Sequence, residues 1–216
     1  MAHDFPLFGD PTDPSGNGSD ELSREAVLAA VEARLLATFG ESSGRAAVTF
    51  LGADRIEVLR FGPDADGLVR YVTLGMSAAP MADPTSVVAD PVRGPRVELV
   101  LTVRGGRDDV LRTLATFAAT PQVEGLVLAP GGSLDLGSPL WEGAPFTSVL
   151  AAESGGLVPD LELADPAEPV RFLPLLPMTP NEAAFKRVQG AEALQEHWLR
   201  HGTDLRDPQR RGVPLD

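Results

Sequence analysis

Residues 169–177, Pro-Val-Arg-Phe-Leu-Pro-Leu-Leu-Pro, constrain the fold of this chain more than any other stretch. The run is mostly apolar but falls far short of the roughly 18 consecutive apolar residues of a membrane span, so its side chains must be buried inside the protein. Its length and content predict a strand over 170–176. Prolines 174 and 177 lack a ladder donor and so confine how neighbouring strands can pair with it. The following Met178-Thr-Pro-Asn-Glu reads as a helix start. A helical pair over 181–189 and 191–201, separated at Gly190, then leads to an arginine- and aspartate-rich end at 204–211.

Upstream, Leu28, Val31, Leu35 and Phe39 recur at helical spacing within 22–39, with Ser23 near the start and Gly40 just past the end, which predicts an amphipathic helix. Strand-like runs at 46–51 and 55–61, joined by the turn Gly52-Ala-Asp, and at 68–74 after Gly62-Pro-Asp-Ala-Asp-Gly predict an antiparallel meander. Prolines 80, 84, 91 and 95, without periodicity between them, predict a long surface loop. Residues 96–103 alternate as a strand of the main sheet does, with Val97, Leu99, Leu101 and Val103 facing one way and Glu98 and Thr102 the other. Asp108 is placed to cap a helix bearing Leu111, Leu114, Phe117 and Ala118, which Pro121 is expected to end. Weaker strand signals at 126–128, 133–136 and 146–151 precede an acidic surface excursion over 153–169. Strands come in runs with helices at the ends, which favours an α+β fold over a doubly wound one.

A chain of 216 residues suits one domain, which at this size buries roughly 70% of its unfolded surface. The expected organisation is a flexible acidic arm over 1–20, with four aspartates and neither Lys nor Arg, followed by one folded domain over 21–216. The formal net charge of −13 argues against nucleic acid and against an anionic membrane as partners, because both are bound through clustered Lys and Arg. It suits steering towards a basic partner. The absence of cysteine excludes disulfides, thiolate metal sites and cysteine nucleophiles. With no basic-then-apolar leader and no membrane-length apolar run, the expected location is the cytoplasm.

Few residues carry recognisable chemistry. His197 and His201 lie four apart on one helix face, the half-site spacing of helical zinc ligands, but no third ligand and no intervening glutamate are marked. Asp64-Ala-Asp-Gly lacks the closing glutamate of a calcium loop and reads as a hairpin turn. The glycines of 130–137 match no phosphate loop, since no lysine follows, and no Gly-x-Ser-x-Gly elbow occurs. Glu98, in an apolar strand, is the most suggestive single acid for hydrolysis, yet no partner carboxylate is marked. The competing expectation is that it lies on an outer strand face, bonded to Arg104 or Arg171. A carboxylate-dependent hydrolase around Glu98, or a zinc-dependent one at the two histidines, is the alternative to a binding role.

Five short motifs in order carry a family resemblance: Tyr71-Val-Thr-Leu-Gly-Met-Ser, Val97-Glu-Leu-Val-Leu, the helix with Leu111 to Ala118, Phe172 to Pro177 with Thr179 to Glu182, and Asp204 to Arg211. Over roughly residues 45–216 the chain resembles the Suppressor of fused-like family. The resemblance implies a single α+β domain with a mixed, mainly antiparallel central sheet flanked by helices, working by protein binding rather than catalysis and without a cofactor. In animals such a protein sequesters zinc-finger transcription factors; similar bacterial domains are linked to toxin systems as immunity proteins, which makes a toxin the expected partner. The second, C-terminal lobe of the animal pattern is missing here, so no partner-contacting residues carry over. The family-motif positions are Tyr71, Gly75, Glu98, Thr179, Glu182, Asp207, Arg210 and Arg211, and a structural role is expected for them: Glu98 fixing a strand environment, Thr179 capping a helix, Asp207 pairing with Arg210 or Arg211.

Overall fold

The computed structural model describes residues 23–51, 54–82 and 90–215. Helix α1 (Arg24–Phe39) is capped by the Ser23 hydroxyl, which accepts from the Ala26 amide at 3.1 Å. Strands β1 (Gly44–Val48), β2 (Ile56–Phe61) and β3 (Leu68–Leu74) form the expected meander, and a short 3-10 turn (Met76–Ala78) leaves the end of β3. Strand β4 (Arg96–Arg104) precedes helix α2 (Asp109–Glu124), short strands β5 (Ser133–Asp135) and β6 (Ser148–Ala151), and the long strand β7 (Val170–Met178). Helices α3 (Pro180–Gln189) and α4 (Ala191–Arg200) close the chain. One seven-stranded sheet results, in the order β1-β2-β3-β4-β7-β6-β5, antiparallel throughout except where β4 and β7 run parallel.

The proline-rich strand is thus internal, and its register explains how that is possible. The β4 ladder covers Val170 to Leu175, whereas the β6 ladder covers Leu175 to Met178, so β7 exchanges one partner for the other at Leu175. Pro174 lies beyond the end of β6 and Pro177 beyond the last pair with β4; each proline has a ladder on one side only. Their free carbonyls are still used. Pro174 O accepts from the Ala152 amide at 2.8 Å and Pro177 O from the Arg210 guanidinium at 2.6 Å.

Alternation in the strands divides the core by face. On one side Val58, Tyr71, Leu99, Leu101, Leu173 and Leu175 pack beneath Val110, Leu114 and Phe117 of α2. On the other, Leu59, Phe61, Val72, Val100 and Phe172 pack beneath Val27, Val31 and Leu35 of α1. Further along that second face, Leu150 and Met178 meet Leu194 and Trp198 of α4 and Val213 of the C-terminal segment.

Several local expectations are corrected. Strand β1 ends at Val48 rather than at 51, and no strand forms over 126–128. Val27 replaces Leu28 in the buried stripe of α1. Asp108 sits in the helical region and makes no side-chain cap; its carboxylate instead lies 3.4 Å from Arg60. Pro121 does not end α2, because it falls in the last turn, where one lost donor is tolerable; the helix runs to Glu124 and closes at left-handed Gly125. The arm over 1–20, part of the Gly52-Ala-Asp turn and the middle of the loop over 78–95 lie outside the described residues.

Candidate functional site

Among the described residues two carboxylates, Glu98 and Glu182, are fully buried. Each is the centre of a knot of donors, and between them they gather five of the eight motif positions.

Glu98 projects from β4 towards the corner where β3 gives way to the 3-10 turn. Its Oε1 accepts from the amides of Gly75 (2.9 Å) and Ser77 (3.0 Å) and from the Ser77 hydroxyl (2.6 Å), while Oε2 accepts from the Thr73 hydroxyl at 2.5 Å. Gly75 makes the corner possible. Its φ is +147°, and a Cβ there would stand 2.9 Å from the Arg55 carbonyl oxygen and 3.1 Å from Ile56 Cα. Buried Arg96 braces the other side of the turn, donating to Ser77 O at 2.7 Å; burial lowers its pKa from the ordinary arginine value. The expected bond from Glu98 to Arg104 or Arg171 is absent. Arg104 reaches Asp204 (3.1 Å) and Arg171 reaches Glu153 (2.8 Å), both at the surface. Backbone amides and hydroxyls fill the lone pairs of Glu98 instead, so burial requires no counter-cation.

Glu182 starts in a local motif and ends in a tertiary one. Thr179 and Glu182 form a capping box at the head of α3: the Thr179 hydroxyl accepts from the Glu182 amide (3.3 Å), and Glu182 Oε2 accepts from the Thr179 amide (2.8 Å). The same carboxylate then binds across the chain. Oε1 accepts from the Trp198 indole N–H (2.9 Å), the Arg210 guanidinium (2.7 Å) and the Val213 amide (3.0 Å), and Oε2 takes a second Arg210 bond at 3.0 Å. Arg210 is stacked over Phe146 (4.9 Å) and Trp198 (5.6 Å). Burial pushes the Glu182 carboxyl up, but Arg210, Thr179, Trp198 and Val213 together outweigh it and hold the group below the usual 4.5.

The remaining motif positions stand apart. The Tyr71 hydroxyl donates to Arg107 O (2.9 Å) and accepts from its amide (2.6 Å); burial raises its pKa. Asp207 does not pair with the side chain of Arg210 or Arg211. Its Oδ1 accepts from the Gln209 amide at 2.9 Å, closing a turn that aims Arg210 inward at Glu182, and Arg211 is exposed. Thr73, Ser77, Trp198 and Val213 complete the two knots and were missed in the sequence, where a hydroxyl in a strand or a tryptophan in an amphipathic helix signals nothing beyond burial.

The candidate metal ligands are occupied otherwise. His197 Nδ1 lies 3.1 Å from Pro214 O, His201 Nδ1 lies 2.9 Å from His197 O, and the rings stack at 6.1 Å. No third ligand joins them among the described residues. Asp64 closes the β2–β3 hairpin, accepting from the Leu68 and Asp66 amides and pairing with Arg70 at 2.8 Å. Led by the Leu68 bond, these interactions lower its pKa against the opposing effect of burial.

A sequence profile described as Suppressor of fused protein (SUFU) matches residues 52–211, most of the chain, including Glu98, Glu182 and Arg210. The chain belongs to the Suppressor of fused family. Solved Suppressor of fused structures share its fold. A homologue from Neisseria gonorrhoeae FA 1090 superposes with a TM-score of 0.68 at 19% identity, covering 87% of this chain and 97% of that one. Drosophila Suppressor of Fused gives 0.60 at 14% identity, covering 86% of this chain but only 50% of the Drosophila protein. A chain of the Sufu–Fu complex gives 0.59 at 12% identity, covering 88% and 91% respectively. No curated protein sequence matches. No helix among the described residues is long and apolar enough to cross a membrane.

Proposed function

We propose that this member of the Suppressor of fused family is a non-catalytic protein-binding module that acts in the cytoplasm as an immunity protein, neutralising a bacterial toxin by covering part of its surface. The observation that carries the reading is the Sufu–Fu complex, in which a protein of the same fold is bound to a protein partner. The disposition of the acids supports it. The fully buried carboxylates Glu98 and Glu182 have their oxygens taken up by internal donors, which suits positions that hold a fold rather than turn over a substrate. In this reading the motif residues Tyr71, Gly75, Glu98, Thr179, Glu182, Asp207, Arg210 and Arg211 shape the scaffold, and the partner meets other residues. The charge of −13 accelerates encounter with a basic toxin.

Co-expression with the products of neighbouring genes tests this. A toxic neighbour should be silenced, and the two chains should elute together at fixed stoichiometry. Absence of any specific protein complex, with growth unprotected against every neighbouring product, would refute it.

A further inference from the structure

The second face of the sheet is covered in two separate places, by α1 and by the α3–α4 pair, and the gap between them is apolar. In β7, Phe172 and Met178 on this face are buried, whereas Pro174 and Leu176 between them are only partly covered. A groove of about 370 Å³ runs there, with Leu176 on its floor and Trp198, Leu199 and Leu205 along one wall. Leu199 is 81% exposed, although Leu194 and Trp198 of the same helix are buried. Hydrophobic anchoring of this kind on a helix wall is what a docked segment uses.

The opposite wall begins at Ala152 and Glu153, where the acidic excursion leaves the sheet. Residues 151–170 contain five carboxylates and no basic residue. Among the described residues only Glu153 of these has a cation, Arg171; Arg34 spends its guanidinium on the backbone carbonyls of Pro159 and Asp160. Asp160 lies outside the groove lining, its carboxylate 3.4 Å from the hydroxyl of Ser154, the residue after Glu153. Glu192 and Glu196, exposed on α4 one turn before Gln195 and Leu199 respectively, add negative charge to the near wall. Arg200 and Arg206 are cations beside that wall, and Asp204 is shared between Arg206 at 3.0 Å and Arg104 at 3.1 Å. Among the described residues the unpaired acids beside the apolar floor are thus Glu192 and Glu196, on the α4 side of the rim.

We propose that this groove is the partner-binding surface, and that it takes a protein segment with an aliphatic or aromatic anchor flanked by Lys or Arg. The anchor fills the space between Leu176, Trp198 and Leu199, and the flanking cations meet Glu192 and Glu196 on α4. The inference rests on the protein-binding reading above and assigns it a place and a chemistry.

The test pans a random peptide library against the full chain and against Leu199→Glu, which at so exposed a position leaves the unfolding midpoint unchanged. Enriched peptides should carry an apolar anchor with basic flanks and shift the amide resonances of Leu176, Gln195 and Leu205. Their affinity should fall about tenfold or more in Leu199→Glu and stay unchanged in Leu36→Glu on α1. Enrichment of acidic flanks, resonance shifts confined to another surface, or no enrichment would overturn the proposal. So would a homodimer in sedimentation that Leu199→Glu dissolves. A photo-cross-linking residue placed in cells at Leu199, with controls at Leu36 and Val123, separates the two levels. Foreign-protein adducts only at the controls overturn the groove and leave protein binding intact; adducts at no position overturn both.

Discussion

Replacing Glu182 by glutamine is expected to destabilise the protein by about 3–5 kcal/mol, because it strips the counter-charge from a buried arginine. Glu182 is 0% exposed and Arg210 6%. The carboxylate takes three donors on Oε1 and two on Oε2, so either orientation of an amide turns its own N–H groups against at least two of them. The reverse change is gentler. Arg210→Met leaves a carboxylate still solvated by Thr179, Trp198 and Val213, whereas Glu182→Gln leaves a guanidinium with a weakened cage. Total stabilities of about 5–15 kcal/mol are usual for such domains, so the loss is a large fraction of the whole. For a chain of this size it corresponds to a fall in melting temperature of about 6–20 °C. Urea unfolding at neutral pH, followed by tryptophan fluorescence and circular dichroism, gives the free energies of the wild type, both single variants and the double variant. The double variant should be less destabilised than the sum of the singles by more than about 1 kcal/mol. A cost below about 1 kcal/mol for Glu182→Gln, or strict additivity, would show that the knot does not hold the C-terminal segment to α3 as described.

Three further outcomes follow from the same geometry. The lowered pKa of Glu182 means that the unfolded chain takes up a proton first; the knot's contribution is complete above about pH 4.5 and disappears as pH falls through the lower folded value, so the urea midpoint of the wild type should drop more steeply in acid than that of Glu182→Gln. Gly75→Ala should cost at least about 2 kcal/mol in chemical denaturation, because its Cβ meets the Arg55 carbonyl and its φ is one that side-chain-bearing residues avoid; a neutral result would refute the corner geometry. Glu98→Ala strands the Gly75 and Ser77 amides and should cost about 3 kcal/mol, while Glu98→Gln, whose carbonyl can face both amides, should cost about 1 kcal/mol by the same unfolding measurement.

What the sequence determined by itself is local. Period-two and helical spacing located β3, β4, β7, α1 and the helical pair, and Thr179 with Glu182 three residues on marked the head of α3, because these patterns depend only on near neighbours in the chain. The family was legible too, since its motifs sit on those elements. Tertiary structure decided the rest. That Pro174 and Pro177 fit an internal strand depends on where β4 and β6 stop, and neither end is written in β7. That Glu98 needs no arginine depends on a corner 23 residues away, and that Glu182 captures Arg210 depends on a turn 28 residues away. Even the groove exists only because two helix layers cover one sheet face incompletely. A polar group's partner is fixed by the register that brings distant donors to it, and register is a property of the packed sheet rather than of any segment.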